Sequence, residues 1–135
     1  DVLNEMLHGN FFRSRLGNGI VKEMFDTCKA ANPNAVLYVN DFNILNGREL
    51  DKYVQLIDSL LKQGVPIGGI GAQGHIREKI TPERIQKSLD ILTQFKLPIK
   101  ITEFDAVSDT EEDKAQILKN IYQVAFAHPS VQGIL

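Results

Sequence analysis

Short apolar runs and amphipathic helical patterns take turns along this chain, and that alternation restricts its fold more than any other feature. Val2 to Glu5 reads as the tail of a strand, and His8 to Gly19, rich in Gly, Asn and Arg, as a loop. Val21, Met24, Phe25 and Cys28 recur at helical spacing, and that helix is expected to end near Ala31, before Asn32-Pro33. Ala35 to Asn40 is an apolar strand. Leu50, Tyr53, Val54, Ile57, Leu60 and Leu61 mark a second helix, with Gly64 as its left-handed terminator. Val65 to Ile70 reads as a strand. Thr81-Pro82 opens a third helix that runs to about Phe95. Ile99 to Glu103 is the next strand. Asp109, with Glu112 three residues on, predicts a capped fourth helix whose inner face carries Ala115, Leu118, Ile121, Tyr122 and Ala125. Val131 to Leu135 opens a final strand. Near-continuous apolar strands joined by helices define an α/β fold with a parallel sheet. A full eight-stranded (β/α)8 TIM barrel takes about 250 residues. With 135 residues, the chain is expected to form one domain, a partial barrel of about five parallel strands and four helices. An open five-stranded doubly wound sheet is the alternative.

Composition excludes several classes. A net charge of -2 gives no electrostatic case for nucleic acid or an anionic membrane. No apolar run approaches the roughly 18 residues of a membrane span. The one cysteine, Cys28, rules out an internal disulfide. The chain shows no signal peptide and opens on Asp1 rather than Met, so a processed product or an excised piece is expected.

The strand from Ile99 ends on Glu103-Phe104-Asp105. In a parallel α/β sheet, the C-terminal ends of strands are where ligand chemistry sits. A carboxylate there is either solvated, paired or functional, and Glu5 occupies the equivalent place on the first strand. Two carboxylates facing each other across a groove are the minimum equipment for glycoside hydrolysis. The competing use is a metal site recruiting His8 and His75, but no short ligand spacing such as HxxxH is present. Gly69-Ile70-Gly71-Ala72-Gln73-Gly74 matches GxGxxG, yet Gly74 runs into His75-Ile76-Arg77 instead of opening a helix. These glycines are better read as room for close packing, and no cofactor is expected. Gln73 and His75 alternate and should point towards the same rim as Glu103, with Asp105 a possible partner for His75. A triad using Ser108 lacks a GxSxG elbow. Arg13 and Arg15, with Phe11 and Phe12, either grip a sugar or cover the loop.

Four blocks together carry a resemblance. Residues 1–9, Leu37-Tyr38-Val39-Asn40-Asp41-Phe42-Asn43, residues 69–76 and Ile101-Thr102-Glu103-Phe104-Asp105 resemble the glycoside hydrolase family ten endo-xylanases, in family order and with family-like spacing. The closing Val131 to Leu135 resembles the strand before that family's Trp-rich last loop. The resemblance implies a barrel that cleaves internal β-1,4 bonds of xylan with retention. It implies Glu5 as general acid/base and Glu103 as nucleophile. Asn4 would bond the 2-hydroxyl of the sugar in the cleavage subsite. His75 would contact the nucleophile with Asp105 behind it, and Gln73 would lie near the acid/base. Asn40 and Asn43 would sit in the loop lining the aglycone side, with Phe42 where the family usually has Tyr and Leu45 where it has Glu. The implied partner is xylan or a xylo-oligosaccharide, and the implied location is secreted or extracellular.

That family's glycone-side Lys, Asn, His and Trp groups and its Trp-rich segment have no counterpart here, and the chain holds no Trp. A half-barrel would expose two sheet edges and its interior face. It is therefore expected either to complete itself as a homo-oligomer or to be stable only within a longer chain. Alone it is expected to hydrolyse weakly or not at all, because positioning supplies much of the barrier reduction. Two other readings stand beside the xylanase: a catalytically silent half-barrel with weak xylan binding, and a retaining hydrolase of another β-glycan.

Overall fold

The computed structural model describes residues 1–135. Its centre is a five-stranded, wholly parallel sheet in which the strands lie side by side in chain order. β1 is Leu3–Asn4, β2 Tyr38–Asp41, β3 Gly69–Ile76, β4 Ile99–Ala106 and β5 Val131–Ile134. The sequential order makes this an arc of a barrel; a doubly wound sheet would reverse direction at a switch point. The helices are α1 (Phe11–Leu16), α2 (Ile20–Ala31), α3 (Leu50–Lys62), α4 (Pro82–Leu92, followed by a 3-10 turn to Phe95) and α5 (Glu111–Ala127). One hydrophobic core lies between sheet and helices. Phe25, Val39, Ile57, Ile70, Ile85, Ile99, Ile101 and Ile121 are wholly excluded from water within it.

Local chemistry sets several boundaries. Thr81 caps α4, its Oγ1 accepting from the Arg84 amide at 3.3 Å, and Pro82 takes the first helical position. Gly64 follows α3 at φ 72, a conformation that glycine adopts without a Cβ penalty. No helix is long and apolar enough to cross a membrane.

Other boundaries differ from the sequence reading. The third strand is Gly69–Ile76, not Val65 to Ile70. Val65 is buried, but its amide closes the end of α3 on Leu60 O, and ladder pairing begins with Gly69 beside Tyr38. β4 runs three residues past Glu103. α1 lies inside the segment read as a loop; none of its residues is buried, so no apolar periodicity marks it. The cap of α5 is Thr110, accepting from the Asp113 amide at 3.1 Å, and not Asp109. The inner face of α5 is Ile117, Asn120, Ile121, Val124 and Ala125. Asn120 belongs to the buried stripe because its amide donates to Ile80 O at 2.8 Å, which hides its polarity. Ala115, Leu118 and Tyr122 face outward instead.

β1 and β5 are the sheet edges. Exposed apolar side chains gather beside each: Phe11, Phe12 and Leu16 near β1, and Leu118, Tyr122, Phe126 and Leu135 near β5.

Candidate active site

The C-terminal rim of the sheet carries Glu5, which directly follows β1, and Glu103 within β4. Register places Asn4, Asn40 and Gly71 side by side on neighbouring strands. Asn40 lies in β2 itself and not in the loop after it. It is nearly fully buried, and its Nδ2 donates both to Glu103 Oε1 at 2.8 Å and to Asn4 Oδ1 at 3.0 Å. The Thr102 hydroxyl bonds Asn40 Oδ1 at 2.7 Å. Gln73 Nε2 reaches Asn4 Oδ1 at 3.1 Å and Glu5 Oε1 at 3.2 Å. One chain of side-chain amides thus ties the two carboxylates together.

The direction of every amide follows from its partner. Asn40 and Gln73 turn their NH2 groups towards carboxylate oxygens of Glu103 and Glu5, which accept. Both then also donate to Asn4 Oδ1. Asn4 Nδ2 has no partner within the chain and is left as a donor at the exposed rim.

A glycine makes this reach possible. A Cβ built on Gly71 would lie 2.5 Å from Asn40 Oδ1 and 3.0 Å from the Val39 carbonyl. Close packing is therefore what this glycine provides, and no dinucleotide turn is formed. Gly71→Ala is expected to push the Asn40 amide off Glu103. The expected result is loss of that hydrogen bond in a crystal structure of the variant, for a small change in melting temperature. An Asn40 amide still bonded to Glu103 in a folded Gly71→Ala protein would refute the arrangement.

Glu103 owes its direction to an irregularity. Gln73 pairs with Thr102 and His75 with Asp105, so Glu103 and Phe104 together oppose the single Gly74. Ile99 and Ile101 face the core. Regular alternation would send residue 103 the same way. The bulge, with Glu103 at φ 53, re-aims that side chain to the rim. Glu5 and Asn43 also have left-handed backbones, at φ 57 and 60. Three non-glycine residues on one rim thus hold a conformation that costs roughly 1–3 kcal/mol each.

His75 sits between two carboxylates. Its Nδ1 is 2.8 Å from Asp105 Oδ1 and its Nε2 3.3 Å from Glu103 Oε2. Both ring nitrogens are taken, which leaves none for a Ser108 hydroxyl and removes the triad. The Asp105 hydrogen bond raises the His75 pKa above its ordinary 6.5; partial burial opposes this, and Glu103 adds to it. The imidazolium is the form that donates to both partners at once. Because the folded value is the higher one, this pairing stabilises the fold fully below pH 6.5 and is lost as pH climbs through the raised value. The ring protons of His75 are expected to titrate with a midpoint above 6.5 by NMR, and Asp105→Asn should move it downward. An unchanged midpoint in that variant would contradict the assignment.

Beside Glu5 opens a cleft of about 440 Å³, walled by Phe42, Asn43, Asn46, Arg48, Gln73, His75, Arg77 and Glu78. Arg48 bonds Glu78 across its mouth at 2.7 Å. Phe42 and Asn43 therefore border the site. Leu45 does not: it is fully buried in the core, so this departure from the family pattern changes packing and leaves the cleft untouched. Arg13 holds the Met6 and Gly9 carbonyls at 2.6 and 3.2 Å, and Arg15 stacks on Phe11. These arginines brace the loop after Glu5, the covering alternative of the two. No group of three or more His, Cys, Asp or Glu side chains is arranged to hold a metal.

Sequence reasoning gave no role to Asp41, Thr102 or the His8 ring contact. Asp41 has no exposed surface and its carboxylate accepts from Leu7 N at 2.8 Å, Phe42 N at 3.0 Å and the His8 ring at 2.8 Å. The available signal was an aspartate closing an apolar strand, the same signal that drew attention to Glu103.

A parallel barrel arc with two amide-linked carboxylates on its C-terminal rim is the equipment of a barrel glycoside hydrolase. The chain belongs to glycosyl hydrolase family 10, whose profile matches residues 1–135. It is 44% identical to the anti-sigma-I factor RsgI6 of Acetivibrio thermocellus and 40% identical to endo-1,4-beta-xylanase 2 of Arabidopsis thaliana. Both matches span the whole chain. It covers 18% and 13% of those two proteins, far less than their full length. The crystal structure of xylanase 10B from Thermotoga petrophila, solved with xylobiose, superposes with a TM-score of 0.86 at 28% identity. That match takes in 99% of this chain and 46% of that enzyme.

Proposed function

We propose that this chain carries the catalytic pair of an endo-1,4-β-xylanase that works by double displacement. The observation that carries the proposal is the hydrogen-bonded rim joining Glu5 to Glu103 through Gln73, Asn4 and Asn40. Glu103 attacks the anomeric carbon and the glycosidic C–O bond breaks. The proton of Glu5 passes to the departing oxygen, which leaves as a hydroxyl. Glu5, now a carboxylate, takes a proton from water as that water attacks the glycosyl ester and frees Glu103. Asn40 and His75 point hydrogen at Glu103 and so favour its acceptor form. The unused Asn4 Nδ2 is a donor for a sugar hydroxyl, in keeping with the family's 2-hydroxyl contact. Xylan is the substrate favoured by a family relative named endo-1,4-beta-xylanase and by the xylobiose complex of the structural neighbour.

The test is hydrolysis of xylan and xylo-oligosaccharides by the intact protein, with proton NMR of the first product. A β-anomer formed first is the expected result. An α-anomer would mean inversion, and no hydrolysis by a longer chain that completes the barrel would refute the reading. β-Glucan and mannan assayed alongside test the wider β-glycan alternative.

One relative is named for a role other than hydrolysis, an anti-sigma-I factor, and this favours a second reading, a catalytically silent half-barrel with at most weak xylan binding. Xylan binding that Glu103→Gln leaves unchanged, in a protein that hydrolyses nothing, would select it.

A further inference from the structure

Phe42 is a wall of the cleft, yet one face of its ring is already occupied. The imidazole of His8 lies against it, centroid to centroid 3.8 Å, with the planes 16° apart. His8 is not among the walls of the cleft, and the stacked imidazole covers only one face of the phenyl ring. His8 Nδ1 is 2.8 Å from Asp41 Oδ1. Asp41 cannot drift: it is wholly buried at the end of β2, and the Leu7 and Phe42 amides bond it as well. A single carboxylate therefore fixes the loop after Glu5, the backbone of Phe42 and the ring stacked on Phe42.

The cleft holds Glu5 but not Glu103 among its walls. In a double displacement the acid adjoins the departing oxygen, so this groove lies on the leaving-group side. A flat apolar ring there offers a stacking surface to the sugar that departs.

We infer that His8, anchored by Asp41, is a positioning residue that holds Phe42 in one plane as the platform for the leaving-side sugar. The inference rests on the hydrolytic reading above. A phenyl ring with one face open and nothing behind it rotates about its own side-chain bonds. The imidazole removes that freedom, so ordering the ring costs little when the sugar arrives. The pair also couples the platform to the loop of Glu5, so acid and stacked sugar keep one spacing.

The experiment uses the intact protein with two substrates. Xylotetraose places a sugar on the platform. Xylobiosyl fluoride has only fluoride to lose and nothing to stack. His8→Ala is expected to lower kcat/KM on xylotetraose by about fivefold, the range of an aromatic pair, while the fluoride changes less than about twofold. His8→Phe restores a flat ring without the Asp41 bond and should recover part of the loss, and a melting curve of each variant checks that it folds. Equal losses on both substrates, or none on either, would overturn the inference. If the wild-type protein cleaves neither substrate, the hydrolytic reading has failed. Xylotetraose affinity by calorimetry then decides for His8: weaker binding in His8→Ala, partly recovered in His8→Phe, supports the platform, and unchanged binding removes it.

Discussion

Replacing Glu103 by alanine is expected to lower turnover on xylan on the order of 10⁴-fold, whatever the leaving group. In the proposed double displacement this carboxylate is the attacking group. Asn40 Nδ2 and His75 Nε2 both point at it, and neither can attack. Alanine leaves space on that face, and added azide should enter it. Attack from there on a β-linked sugar gives an α-xylosyl azide. The fold should survive, because Glu103 is itself exposed and its two hydrogen bonds are worth about 1 kcal/mol each. A melting curve measured in parallel checks this. Residual xylan hydrolysis near the wild-type level in a folded Glu103→Ala protein would remove Glu103 from the mechanism.

Glu5→Ala should cost less and do so selectively. General acid–base groups contribute about 10²- to 10⁴-fold, and that loss is expected on xylan, where the departing alkoxide needs a proton. A dinitrophenyl xylobioside leaves without one, so its first step should remain fast. The second step stalls without the base. Azide then captures the glycosyl-enzyme from the face Glu5 occupied, giving a β-xylosyl azide. Opposite azide anomers from the two variants assign the two roles independently of rate. The same anomer from both, or the reverse pairing, would overturn the assignment.

What the sequence displayed, and what it concealed, divides by whether the cause is local. Thr81-Pro82 was legible because a cap and a first-turn proline act over a few residues. Glu103 and Gly71 were legible because strand ends and crowded strands leave chemical traces in one segment. The bulge at Glu103 was not. It exists only in the pairing of β4 with β3, where Gly74 meets two residues. Alternation alone would have buried Glu103, and its place on the rim was read from its position at the strand's C-terminal end. α1 escaped notice because none of its residues is buried. The phase of α5 was misread because a buried Asn120 interrupts its apolar stripe. His8, Asp41 and Phe42 meet through parallel pairing of β1 with β2, and 33 residues separate the first two in the chain.

The amide relay spans most of the chain. Glu5 and Gln73 are 68 residues apart, Asn4 and Gln73 69, and Asn40 and Glu103 63. Each parallel crossover must close before the next strand can dock, and such non-local topologies fold slowly. Glu5 is synthesised before Glu103 and meets it only when β4 arrives, nearly a hundred residues later. Helices α2 and α3 can form and pack while the rim is still unassembled. In mild denaturant the order reverses: left-handed rim residues and solvent-facing hydrogen bonds belong to the least protected part of a structure. The helical circular dichroism signal should therefore outlast the geometry between Glu5 and Glu103.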